Sequence, residues 1–131
     1  GDVIMKGMLT LIVGCGGFIG AAVRYLVSDF CARTFKNSIP HGTWIVNIAG
    51  AIIIGFVIQL SLSDIVSPKL KLFVTTGICG GLTTFSTFSL ESITLFANGK
   101  IELGILNVIL NLFLSLIGVL IGQSLAKLVI G

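Results

Sequence analysis

Charge interrupts the hydrophobic residues of this chain at only a few places, and the gaps between charges predict its elements. Uncharged stretches run through 7–23, 37–63, 72–90 and 103–126, each near or above the roughly 18 to 20 residues needed to cross the hydrocarbon core. They predict four membrane helices, over about 7–30, 41–62, 69–96 and 101–128, forming one domain that uses nearly the whole chain. The connections are short and polar. Arg33, Lys36 and Pro40 lie in the first, Asp64 in the second, and Asn98-Gly99-Lys100, a turn signal, in the third. The start, Lys6 followed by an apolar run, could be misread as a secretory leader, but it continues into Arg24 and three further spans.

The third span differs from an ordinary lipid-facing helix. Between Gly77 and Ser89 it carries the pair Gly80-Gly81, then Thr83, Thr84, Ser86, Thr87 and Ser89, with Phe85 and Phe88 three apart. This composition favours a break in the helix at Gly80-Gly81, near the bilayer midplane. Irregular backbone at that depth is tolerated only where it faces protein or a polar cavity, which is where channels and transporters place ion sites. The competing reading is a glycine-rich packing face whose hydroxyls bond back to their own helix.

Composition narrows the class. With 55% hydrophobic and 10% charged residues and a mean hydropathy of +1.14, the chain is far from soluble proteins, about a quarter of whose residues are charged. The reading is a multi-pass protein of the lipid bilayer, with no room for a soluble catalytic domain and no sign of nucleic acid as a partner. It is not expected to be an enzyme. Gly14-Cys15-Gly16-Gly17 lacks the spacing of a dinucleotide fingerprint and follows no strand. Cys15, Cys31 and Cys79 have no metal-ligand spacing and read as free thiols, and His41 stands alone.

The distribution of charge between the two sides bears on assembly. Lys6, Lys69, Lys71 and Lys127 share one side of a four-span chain, and Arg33, Lys36 and Lys100 the other. Lys and Arg in short loops set orientation, so four against three is almost no bias. The chain is expected to insert both ways and to form an antiparallel homodimer. A single topology fixed by other factors, Arg24 among them, is the alternative. Gly16 and Gly20, Gly77 and Gly81, and Gly118 and Gly122 are spaced to let helices approach closely.

Polar residues inside the spans point to the sign of an ion. Asn107, Asn111 and Ser115 recur four apart, stacking on one face of the fourth helix over about 12 Å. Asn47 adds an amide from the second span, and Ser86, Thr87 and Ser89 add hydroxyls beside the phenylalanines. No carboxylate lies deep in any span. Arg24 is the one strongly embedded charge, of a kind that usually marks function. Such a set disfavours cations and protons and suits a small anion, which Phe85 and Phe88 could receive at their positive ring edges. Helix-to-helix hydrogen bonding could instead use these groups with no ion involved.

The run from Gly80 to Ser89, together with Gly20-Ala21-x-x-Arg24-Tyr25 and Gly42-Thr43-x-x-x-Asn47-x-x-Gly50, closely resembles the CrcB/Fluc fluoride channels across all four spans. The resemblance implies an all-α, dual-topology, antiparallel homodimer in a cell (inner) membrane, with two fluoride pores and a structural, non-transported Na+ on the dimer axis. It further implies that Phe85 and Phe88 line the pore, that Asn47 donates to fluoride and that Arg24 sits in a vestibule. Ser86, Thr87, Asn111 and Ser115 complete the expected pore set, and the backbone carbonyls of Gly80 and Thr83 would hold Na+. In the fourth helix Asn107 and Asn111 stand where the family often has hydroxyls. The function implied is passive export of fluoride that lowers its toxicity. A small multidrug transporter would need an embedded carboxylate, which is absent; a non-transporting assembly subunit would need packing faces alone.

Overall fold

The computed structural model describes residues 1–131, and every regular element in it is helical. Helix α1 spans Asp2–Thr34 and α2 His41–Leu62. A third run is built in pieces: α3 (Pro68–Leu72), a π-helix (Phe73–Cys79), α4 (Gly80–Leu82) and, after two extended residues, α5 (Phe85–Ala97). Helix α6 (Ile101–Ile130) closes the chain. Helices α1, α2 and α6 are each long and apolar enough to cross a membrane.

Local chemistry sets the ends of these elements. Ser67 starts α3 by accepting the Leu70 N–H at 3.2 Å, with Pro68 at the first helical position, where its missing N–H costs nothing. The turn between α5 and α6 needs a left-handed residue, and Gly99 supplies it at φ 77°.

Packing is dominated by two close pairs. On α1, a Cβ at Gly16 would lie 2.6 Å from Phe73 O and 2.8 Å from Gly77 Cα, and one at Gly20 would strike Ile78 O and come within 2.7 Å of Leu82 N. Gly81 makes the reciprocal approach, facing Gly17 O and Ala21 N. On α6, a Cβ at Gly122 would strike Ile52 O and lie 2.7 Å from Phe56 N, while Gly55 of α2 faces Val119 O. Backbone against backbone at these distances admits no side chain. The attraction comes from van der Waals contact, since lipid supplies no hydrophobic drive for helix association.

The interior that these pairs enclose is small and partly polar. Thr43, Thr75, Ser92, Asn107 and Asn111 are all buried, and Val46 and Asn107 are the largest of the side chains almost wholly removed from solvent. The exterior is apolar instead, with Phe18, Tyr25, Phe113, Leu116 and Leu120 all exposed. That inversion suits a chain whose outer surface meets hydrocarbon.

Because the glycine contacts are to backbone, a single methyl at Gly20 or Gly122 must push two helices apart. Overpacking of this kind typically costs about 1–3 kcal/mol. Gly20→Ala and Gly122→Ala should each lower the midpoint of thermal aggregation in detergent, whereas Gly7→Ala, with open space around it, should leave it unchanged. Equal midpoints for all three would show that the close pairs do not limit stability.

Candidate functional site

The site is built around Thr83 and Thr84, where the third run leaves the helical region with ψ 155° and 122°. The glycines named by the sequence do not make this departure: Gly80 is right-handed helical at φ −62°, ψ −38°, and Gly80–Leu82 is helical. The missing Cβ of Gly81 is used for close approach to α1, while Gly80 faces only Thr75 O, at 4.0 Å from where its Cβ would lie. The chain leaves the helix three residues later, where side-chain oxygens replace the helical partners.

That replacement can be followed atom by atom. In a continuous helix the Thr84 N–H would close on Gly80 O and the Thr87 N–H on Thr83 O. Here Thr84 N–H donates to Asn47 Oδ1 at 2.8 Å, and Thr87 N–H donates to Thr84 Oγ1 at 3.1 Å, capping α5. The carbonyls of Gly80 and Thr83 are thereby left without their helical donors. Gly81 O receives Arg24 Nε–H at 2.9 Å, and Thr84 O receives Asn47 Nδ2–H at 3.2 Å. Asn47 thus clamps Thr84 through both its amide groups.

Beside the interruption lies an open groove of about 480 Å³. Phe85, Phe88, Asn47, Asn111 and Ser115 line it, with Gly80 and Thr83 in its wall and no charged residue anywhere around it. The two rings are packed edge to face, with centroids 5.5 Å apart and planes at 62°. Phe88 is buried, but Phe85 is 74% exposed, so one chain does not cover it. A groove of this kind can offer amide N–H, hydroxyl and ring-edge hydrogens to a small anion, and it offers no carboxylate to a cation.

The other residues singled out in the sequence lie elsewhere. Arg24 is engaged with Gly81 O on the α1 side. Ser86 is exposed, its Oγ 3.4 Å from Thr84 Oγ1. Thr87 faces a second cavity of about 640 Å³, one turn along α2, lined also by Lys36, His41, Thr43, Glu91 and Lys100. There Thr43 Oγ1 donates to Glu91 Oε1 at 2.5 Å, and Lys100 Nζ donates to Ser38 Oγ. Glu91 is therefore half-buried at the wall of this cavity. Cys15, Cys31 and Cys79 are free thiols.

The expected polar track on α6 divides. Asn111 and Ser115 reach the groove, but Asn107 is fully buried, held by Trp44 Nε1–H at 2.6 Å and donating to Ser92 Oγ at 2.9 Å. Trp44, Ser92 and the capping role of Thr84 were missed in the sequence. The Thr84-x-x-Thr87 spacing is a faint cap signal; nothing local marks Trp44, the single tryptophan of the chain, because its partner lies on another helix.

A family model described as CrcB-like protein, Camphor Resistance (CrcB), matches residues 11–123. A protein of Clostridium perfringens strain ATCC 13124 named fluoride-specific ion channel FluC is 56% identical over 126 residues, covering 95% of this chain and 98% of its own. Proteins of the same name from Clostridium novyi strain NT and Sulfurovum sp. strain NBC37-1 are 56% and 42% identical, covering 95% and 97% of this chain and 98% and 100% of their own.

Proposed function

The chain belongs to the CrcB family, and on that footing we propose that it is a fluoride channel that lets fluoride leave the cell passively. The observation that carries this reading is the groove: two edge-to-face rings among amide and hydroxyl side chains, with no charged group. Fluoride holds its water tightly, so a pore must replace that shell with donors while binding weakly enough to release the ion. Ser115 Oγ and the edges of Phe85 and Phe88 supply such contacts directly. Asn47 supplies one when a Nδ2–H turns from Thr84 O or Asn111 Oδ1 to the anion. An inside-negative potential drives the ion outward with about 2.3 kcal/mol per charge per 100 mV, and no ATP or proton coupling is needed.

Proteoliposomes test this directly. Fluoride efflux measured with an ion-selective electrode should be fast, and chloride efflux under the same potential should be negligible. Losing ring-edge contacts worth about 1.4 kcal/mol should slow fluoride roughly tenfold in Phe85→Ile and Phe88→Ile, whereas Phe113→Ile, exposed on α6, should match wild type. Equal permeation of both halides, or an equal loss in all three variants, would refute the reading.

The working unit in this proposal is an antiparallel homodimer with the Thr83-Thr84 interruption at the bilayer midplane. The near-even charge tally and the uncovered Phe85 ring support it. C-terminal reporter fusions should therefore report both orientations, and two lysines added to the loops of one side should bias insertion and reduce flux. A single orientation in active wild-type protein would exclude the antiparallel pair.

The residues at the interruption fit a structural Na+. The carbonyls of Gly80 and Thr83 are the ones whose helical donors are diverted to Asn47 and Thr84, so a hard cation that favours oxygen ligands would find them free. Two such pairs, one from each copy, would hold Na+ on the twofold axis as a tie between subunits that is not itself transported. Preparing and assaying the protein in N-methyl-D-glucamine salts should lower fluoride flux, with recovery on adding Na+. Thr83→Ala, which keeps the carbonyl, should be tolerated better than Gly80→Val. Undiminished flux without Na+ would remove the site.

A further inference from the structure

A carboxamide has an accepting oxygen and a donating nitrogen of the same shape, and which end faces which neighbour is decided by those neighbours. Asn47, Asn111 and Asn107 form one continuous relay between α2 and α6. Asn47 Nδ2 donates to Asn111 Oδ1 at 3.0 Å, and Asn111 Nδ2 donates to both Asn107 O and Asn107 Oδ1 at 3.0 Å. Asn107 Nδ2 then donates to Ser92 Oγ, which passes its own hydrogen to Phe88 O at 2.8 Å.

Both ends of this relay are fixed by groups that cannot reverse. At one end stands the backbone of Thr84, whose N–H can only donate and whose carbonyl can only accept. At the other stands the Trp44 indole, which can only donate and which meets Asn107 Oδ1 at 2.6 Å. With Trp44 in place, Asn107 must present its oxygen to α2 and its nitrogen to Ser92. Asn111 must then donate to Asn107 and turn its oxygen to Asn47, and Asn47 is left with the polarity that Thr84 requires. Turning any one amide would set donor against donor or acceptor against acceptor in a buried chain, where an unpaired polar group is costly.

We propose that Trp44 is a positioning residue for the groove: its donor-only N–H fixes the amide of Asn107 and so, with the backbone groups of Asn107 and Thr84, holds the Asn107–Asn111–Asn47 relay in one direction and steadies Asn47 on Thr84 at the interruption. Trp44 does not line the groove, and its effect reaches it through the three amides. The proposal rests on the fluoride reading for its consequence in flux but not for its consequence in structure.

The test compares Trp44→Phe, which keeps an aromatic ring and deletes the donor, with Asn47→Ser and with the double variant, all as reconstituted full-length protein. Flux in Trp44→Phe should fall roughly tenfold, the effect of one unsatisfied buried group. The double variant should conduct no worse than Asn47→Ser alone, since both changes act on one chain of contacts. Hydrogen exchange at the Thr84 amide should speed up in Trp44→Phe, a change that lost packing around residue 44 would not cause. If Trp44→Phe does not assemble, biosynthetic replacement of Trp44 by benzothienylalanine removes the N–H and keeps the bicyclic shape, with the same results expected. Unchanged exchange at Thr84, or losses that multiply in the double variant, would overturn the proposal. Wild-type protein that releases no fluoride would refute the proposed function instead, while the exchange comparison would still decide the role of Trp44.

Discussion

Inside hydrocarbon a backbone polar group has no water to turn to, so any departure from helix must be matched by a partner for each N–H and C=O it frees. The two extended residues Thr83 and Thr84 create that demand, and much of the site follows from how it is met. Thr84 N–H goes to Asn47, Thr87 N–H to the Thr84 hydroxyl, and Gly81 O to Arg24. Arg24 thus gains a reason to be embedded that does not depend on meeting an anion: it neutralises a carbonyl the interruption would otherwise leave bare. The carbonyls of Gly80 and Thr83 are the remainder, and it is their partial negative charge that makes a cation at the interruption chemically reasonable in a groove whose side chains suit an anion.

Close helix packing is what makes the interruption possible. With Gly16 and Gly20 of α1 against Gly77 and Gly81, the run before Thr83 is pressed flat onto α1. The π-helix at Phe73–Cys79 sits in the same stretch; wider turns of this kind are common at functional sites. On the other side, Gly122 and Gly55 draw α2 and α6 together, bringing Asn47 within hydrogen-bonding reach of Asn111. The amide relay and the groove both need that separation. Glycine therefore acts at these contacts by removing volume, and at Gly99 by its freedom of φ.

The parts of this architecture legible in the sequence are those carried by long-range composition. Uncharged runs mark the four helical regions because charge is excluded from hydrocarbon, and small residues four apart mark the faces that touch. Asn47, Phe85, Phe88, Asn111 and Ser115 were recognisable as a donor-and-ring set, and the groove gathers all five. What was not legible depends on partners from other helices. Gly80-Gly81 reads as the breaking point because glycine weakens a helix in isolation, yet the pair stays helical, with Gly81 packed on α1; the break falls where Asn47 can replace a lost partner. Asn107 looked like a third rung of a polar track because its spacing from Asn111 is right. Only the position of Trp44, on a different helix, shows that its amide is committed inward.

One chain accounts for the donors but not for an enclosed path. The groove is open along one side, and Phe85 stands almost bare at its edge while its ring-edge partner Phe88 is buried. In a bilayer an open, partly polar groove would face lipid tails that can bond to none of its amides or hydroxyls. A second copy laid against that side would cover the Phe85 ring and seal the groove. Paired in opposite sense, it would also bring a second set of freed Gly80 and Thr83 carbonyls to the same axis. The near-even distribution of Lys and Arg between the two sides would let such a copy arrive in the required orientation, so that under the proposed pairing the weak charge bias and the uncovered ring would both follow from one requirement.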